Sequence, residues 1–380
     1  MTENPFGIDR VKAGADFLEW NFTITMKTSP WSVEEGMTQL LAHQSAEGFS
    51  PRLEICAEDD AKIIHELGRR PTPTAVAALR GFQAMSTIDT QRELARINAD
   101  RLVQQGQPEP PWVDTVGRVR VDDCWWAHDE YGETAVVVCA FSYDGTDEHA
   151  IFVMIDRALG GGMVREILLS MNPDSLLSIV RKADGSEDGL VSEPLDPALA
   201  RRLLEDAIST SDELSEHKEY NLRPVPVPYR KMRALILARA RALSDRPAPP
   251  ETLPNSVEIE LLKQSFLASP AAARLPAGEA TGRALDLLIH QFLDAAACHP
   301  LQIGPRRVKA VLGLPDLLAE LDADPDLARL FPDLAYAWVA WTATERDLSP
   351  AATDRLTEAA RQACTPQRPA EDAGHNGPAG

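Results

Sequence analysis

Ala135-Val136-Val137-Val138-Cys139-Ala140-Phe141 and Ile151-Phe152-Val153-Met154-Ile155 are two unbroken apolar runs with Asp144-Gly145 between them. Each has strand length and is rich in β-branched residues, and Asp-Gly suits the positive φ that a tight hairpin needs. Strands apolar on both faces must be covered on both faces. This hairpin is therefore expected at the centre of a sheet with helices, or another domain, on either side. Working outward, Gly117-Arg118-Val119-Arg120-Val121 alternates like a strand with one wet face, Glu130-Tyr131-Gly132 supplies a turn, and Met163 to Ser170 supplies another strand. The expectation is an α+β fold around an antiparallel β-meander of about four strands.

Helical periodicity dominates on both sides of this core. Upstream, Ser32 with Glu35 reads as a capping box ahead of Val33, Met37, Leu40 and Leu41. Asp59 to Leu67 stops at Gly68, Thr72-Pro73 caps and starts a third helix, and Asp89 to Gln105 carries Leu94, Ile97 and Leu102 before Gly106. Gln107 to Pro111 reads as a stiff linker. Downstream, Asn172-Pro173 opens a short helix and Ala183 to Pro194 is a polar loop. Asp196-Pro197 caps the next helix, and Pro224 to Pro228 reads as extended polyproline II. From Asn255 with Glu258 onward everything reads as helix: Leu285, Leu288, Phe292 and Ala296 form one stripe, Leu334, Trp338 and Trp341 another, and Ser349-Pro350 starts the last helix. The expected organisation is a mainly helical 1–112, an antiparallel sheet with a helix over 113–182, a charged, Pro-rich helical connector over 183–254, a helical domain over 255–364 and a disordered tail over 365–380.

At roughly 100 to 200 residues per domain, a chain of 380 residues favours more than one domain. It carries 38 basic and 58 acidic residues, a formal net charge of -20. Such a surface repels phosphates at long range, so nucleic acid is disfavoured as a partner unless a local basic patch overrides it. One basic block exists, from Arg223 to Arg246, with seven basic residues against the single Asp245. It follows an acidic block over 184–219, and its plainest role is to lie against the chain's own acids. No run is long and apolar enough to span a bilayer, and the first residues lack the pattern of a signal peptide, so a cytoplasmic location without membrane contact is expected. Five widely spaced cysteines without a Cys-x-x-Cys pair argue against a disulfide framework or a zinc ribbon.

Phosphate-loop, dinucleotide, nucleophile-elbow and zinc-peptidase motifs are absent. Asp184-Gly185-Ser186-Glu187-Asp188-Gly189 starts like a calcium loop but has Leu195 where the bidentate glutamate belongs. His290, Asp294 and Cys298 recur every four residues, in line with the polar face of a helix. No cofactor and no metal are assigned. The hairpin register sets Cys124 opposite Cys139 as two packed thiols, and places His149 across from Asp123 but too far for a direct hydrogen bond. It also gathers His128, Asp129, Glu130, Glu133 and Asp156 at one sheet end beside Gly160, Gly161 and Gly162. There an imidazole and carboxylates suit acid-base work, and glycines let a backbone approach a ligand. Asp129 and the three glycines are the ligand-binding candidates; Trp125, Trp126, Arg230 and Arg233 are the interaction candidates.

Pro108-Glu109-Pro110-Pro111-Trp112, Gly117-Arg118, His149-Ala150 through Asp156 to Leu159-Gly160-Gly161, Gly304-Pro305-Arg306-Arg307-Val308 and Ala337-Trp338-Val339-Ala340-Trp341 resemble segments of functionally uncharacterised proteins of high-GC bacteria. The resemblance is patchy, attaches to no named family, implies no activity and lends no catalytic residue. The expected function is that of a non-enzymatic binding or regulatory protein, acting on a protein partner or a small ligand near the sheet end. A hydrolase or metal-assisted enzyme using His128, Glu133 and Asp156 is the alternative. Nucleic-acid binding through the basic helix 230–241 is a second.

Overall fold

Asp144 and Gly145 both take positive φ, 49° and 81°, as the tight turn demands. In the computed structural model they join β2 (Thr134–Tyr143) to β3 (Thr146–Asp156), at the centre of an antiparallel sheet. The structure describes residues 10–24, 29–42, 57–158, 162–183, 189–216, 227–249, 252–295 and 298–364. β1 (Arg120–Asp129) pairs with β2 so that Cys124 faces Cys139 and His128 faces Ala135, with a bulge between Val121 and Asp123. β4 (Met163–Ser170) flanks β3, and the sheet order is β4-β3-β2-β1-β5. The fifth strand, β5 (Leu190–Pro194), lies in the stretch read as a polar loop. Its five residues, Leu-Val-Ser-Glu-Pro, are too few to carry a strand signature of their own; pairing with β1 supplies one.

The chain forms two units: one from 1–128, 135–156 and 162–250, the other from 129–134, 157–161 and 251–380. In the first unit, alternate residues of the central strands face opposite ways. Val137, Cys139, Phe141, Ile151, Val153 and Ile155 pack on α7 (Pro197–Glu216) and α8 (Val227–Leu243). Val136, Val138, Ala140 and Phe152 pack on α6 (Pro173–Arg181). The doubly apolar runs are thus covered on both faces, as their composition requires. α8 is a shared wall. Ile236 and Ala240 face the sheet, while Ala234, Leu235 and Ala238 face a core made by α1 (Arg10–Ile24), α2 (Pro30–Ala42), α3 (Ala57–Gly68), α4 (Pro73–Met85) and α5 (Asp89–Gln104). Fully burying Leu235 or Ile236 contributes about 1.5–3 kcal/mol each, so the apolar residues seat this helix despite its arginines.

Local signals hold with some corrections. Thr72 caps α4, its side chain accepting from the Ala75 N–H. α2 begins two residues earlier than Ser32: Pro30 takes the first turn and the Ser29 hydroxyl accepts from the Ser32 N–H at 3.1 Å. Ile97 is half exposed, and Ala95, Ala99 and Leu102 form the inward face of α5 instead. Val227 and Pro228 belong to α8 rather than to an extended run, while Pro224 and Pro226 lie outside the described residues, as do the calcium-like stretch Asp184 to Asp188 and the tail 365–380.

The second unit is helical: α9 (Ser256–Leu267), a 3-10 turn (Pro270–Arg274), α10 (Glu279–Ala295), α11 (Pro305–Leu312), α12 (Pro315–Ala323), α13 (Pro325–Glu345) and α14 (Pro350–Cys364). Asn255 and Glu258 form the capping box of α9. Trp338 is fully buried, with Phe266 and Trp341 rings each 5.1 Å away. Cys298 lies beyond the end of α10 and is buried, so it does not continue the exposed line of His290 and Asp294. Among the described residues no helix is long and apolar enough to cross a membrane.

Candidate functional site

The sheet-end acids of the second unit are spent on the backbone. Asp129 accepts from the N–H groups of Tyr131 and Glu133 at 3.0 and 2.9 Å, closing its own turn. Glu130 accepts from the N–H and hydroxyl of Ser349 at 3.1 and 3.0 Å, at the start of α14. Glu133, 2% exposed, accepts from the N–H groups of Arg306 and Arg307 at 3.1 and 2.5 Å. α11 has Gly304 at its N-cap, with no capping side chain of its own, so the Glu133 carboxylate supplies the missing acceptors and an anion at the positive end of the helix. Burial pushes the Glu133 carboxyl up against the downward pull of those two N–H groups. Gly304 is required by this approach: a Cβ there would lie 2.4 Å from the Glu133 carboxyl carbon and 2.6 Å from the Tyr131 Cβ. Arg307, also buried, donates to the carbonyls of Arg157, Ala158 and Gln302. The Gly-Pro-Arg-Arg segment is thus a clasp on the turns of residues 129–134 and 157–158. The three acids each serve different donors and do not converge on one point.

His128 and Asp156 belong to the first unit. His128 Nε2 lies 3.4 Å from Glu193 Oε1 on β5, and its ring sits 4.2 Å from that of Trp126, whose Nε1 donates to the same oxygen at 3.1 Å. Asp156 is buried at the end of β3, opposite Met163. Gly162 is buried with a φ of 116° and leads into β4; Gly160 and Gly161 lie outside the described residues. Trp125 and Trp126 point to opposite faces, as alternation requires, and both are half-buried. Arg181 covers the Trp125 ring at 4.8 Å and pairs with Asp123, to which the Trp125 Nε1 also donates. Cys124 and Cys139 face each other as buried free thiols. A hydrogen bond with Cys124, together with burial, pushes the Cys139 thiol well up. Among the described residues no three His, Cys, Asp or Glu side chains are grouped to hold a metal ion.

Arg233 and Arg239 of the basic helix are neutralised within their own unit. Arg233 forks onto Asp212 of α7 at 2.5–2.8 Å, and Tyr229 donates to the same carboxylate. Arg230 is half-buried. Arg239 is fully buried: its Nη1 meets Glu34 Oε2 at 2.6 Å, its Nε donates to His149 Nε2 at 2.8 Å and its Nη2 to the Tyr143 hydroxyl at 3.1 Å. His149 is likewise fully buried, its ring 4.8 Å from that of Trp31. Because a guanidinium only donates and a carbonyl only accepts, His149 must be neutral with its proton on Nδ1, donated to the Asp147 carbonyl at 2.9 Å. Burial and the adjacent Arg239 push its pKa down to about 4. Glu34 Oε1 also accepts from the Gly117 N–H at 2.6 Å, tying the segment before β1 to this cluster. Sequence spacing gave no hint of these partners, which come from α2, β2, β3 and α8.

That tied segment forms one wall of a cavity of about 660 Å³ within the first unit. Arg80 of α4, Arg92 of α5, Arg118 and Arg241 of α8 all line it, with Trp112 and Gly117. Arg80 is neutralised by Glu109 and Asp100. Arg92 donates to the Ser86 carbonyl at 3.0 Å and to Asp89, whose side chain is 89% exposed. Arg241 donates to the Ala84 carbonyl at 3.1 Å. Burial, aided by the like charge of Arg92, pushes Arg241 down to about 10. The signal in the sequence was the basic block itself, but which of its arginines lacks a carboxylate is a property of packing. A second hollow, of about 830 Å³, lies among α11 to α14 and is bordered by Lys309, Phe331 and Cys364; burial pushes the Cys364 thiol up to about 11, away from the reactive thiolate.

Compared with family models, with curated proteins and with solved structures, the chain matches none.

Proposed function

We propose that this chain is a non-enzymatic binding protein whose ligand is a small molecule held in the cavity between α4, α5, α8 and the segment before β1. The observation that carries this reading is the cavity itself: about 660 Å³, a size typical of small-molecule sites, with polar groups fixed on packed helices. Its loop wall is anchored through Gly117 to the buried Glu34–Arg239 pair, so the site is held in shape without a ligand. The sheet end, by contrast, supports the enzymatic alternative poorly, because Asp129, Glu130 and Glu133 are each committed to backbone N–H groups.

Ligand-detected NMR of a small-molecule library against the full chain and against Ala84→Phe, which fills the cavity, tests the proposal. Compounds that bind the wild type and are lost on filling support it; a library in which every binder survives filling refutes it. Metal analysis addresses the enzymatic reading separately: a stoichiometric metal lost on His128→Ala would favour that reading.

A further inference from the structure

A carboxylate is easy to find in this protein, with 58 acidic residues to 38 basic ones. Arginines accordingly pair with acids across the first unit: Arg70 with Asp16, Glu19 and Glu66, Arg96 with Glu93 and Asp100, Arg201 with Glu205, and Arg233 with Asp212. The cavity follows this pattern at Arg80 and Arg92, and departs from it at Arg118 and Arg241. Four guanidinium groups line it against two acids, Glu109 and Asp114, and Glu109 is taken by Arg80. Arg241 offers five donors and uses one on the Ala84 carbonyl. Arg92 is balanced by a carboxylate standing in solvent, where pairing is weak. Arg118 has its side chain exposed, with no ion pair among the described residues. Arg118 and Arg241 therefore line the hollow with donors that an entering anion would stabilise.

From this geometry we infer that the cavity takes a small phosphorylated anion, bound by Arg92, Arg118 and Arg241. The inference rests on the binding reading above and names its ligand class. The three residues line the cavity from α5, from the loop and from α8. A tetrahedral phosphoryl group presents oxygens in several directions at once, whereas a lone carboxylate presents them in one plane. The volume exceeds that of a single phosphate ion, leaving room for a second phosphoryl group or an organic body. A small molecule fits better than nucleic acid: Arg233 and Arg239 of the same helix are neutralised, and a chain at -20 repels an extended polyanion at long range.

Isothermal titration of the full chain with pyrophosphate, glycerol 3-phosphate, citrate and a single-stranded oligonucleotide tests this at low salt. The expected result is saturable binding of pyrophosphate or the phosphomonoester, weakened about tenfold or more by Arg241→Gln and by Arg118→Gln, and unchanged by Arg233→Gln. Arg118 is exposed, so its variant reports on binding even if Arg241→Gln folds poorly. Absence of binding by both phosphorylated probes, tighter binding of citrate or of the oligonucleotide, or an Arg118→Gln variant equal to wild type would each overturn the inference. If library compounds still bind in a manner sensitive to Ala84→Phe, only the ligand class falls; if nothing does, the binding reading falls with it.

Discussion

His149 makes the first unit acid-sensitive by a calculable amount. Its Nε2 accepts from Arg239, so a proton added there would set two donors against each other beside a buried cation, with Tyr143 on the same guanidinium and Glu34 opposite. The folded pKa is about 4 against an ordinary 6.5. A base whose pKa is depressed by folding contributes its full stability above the unfolded value and loses it as pH falls toward the folded one. Between about pH 7 and about pH 4.5 the two values imply a loss of roughly 2 kcal/mol from this group alone. His149→Gln keeps an acceptor for Arg239 and never charges. Urea unfolding at the two pH values, followed through Trp31 and its neighbours, should therefore show a drop for the wild type that exceeds the variant's by roughly 2 kcal/mol. Carboxylates that titrate in the same range are common to both proteins and cancel. Equal drops would refute the claim that the imidazole is held neutral by its neighbours.

Arg239→Met leaves Glu34 buried without its counter-ion; it should cost about 3–5 kcal/mol, seen as a lowered urea midpoint. Gly304→Ala forces the Glu133 carboxylate and Tyr131 away from the start of α11, an overpacking worth about 1–3 kcal/mol. Its thermal unfolding should shift down, while a control Gly282→Ala, inside α10 where a Cβ meets nothing within 4 Å, should unfold no lower than the parent.

Much of the architecture was legible because it is written in local patterns. The Asp144-Gly145 turn, the period-two faces of β2 and β3, the Thr72-Pro73 and Asn255 caps and the Leu334, Trp338, Trp341 stripe each depend on residues a few positions apart. The misreadings share a cause. β5 exists through its partner strand, and Ile97 is half exposed because Ala95, Ala99 and Leu102 form the inward face of α5.

Sequence alone decided that two doubly apolar strands need cover on both faces, since that requirement follows from short-range period and from the cost of exposing apolar surface; that helices provide it was decided by the packing of α6, α7 and α8. Sequence also placed the acids of residues 129–133 at a turn. Whether those acids meet a substrate or a helix end, which guanidinium finds a carboxylate, and that His149 accepts rather than donates were decided by tertiary structure. Electrostatic roles depend on distance and burial between residues up to about two hundred positions apart in the chain, and no local pattern encodes that.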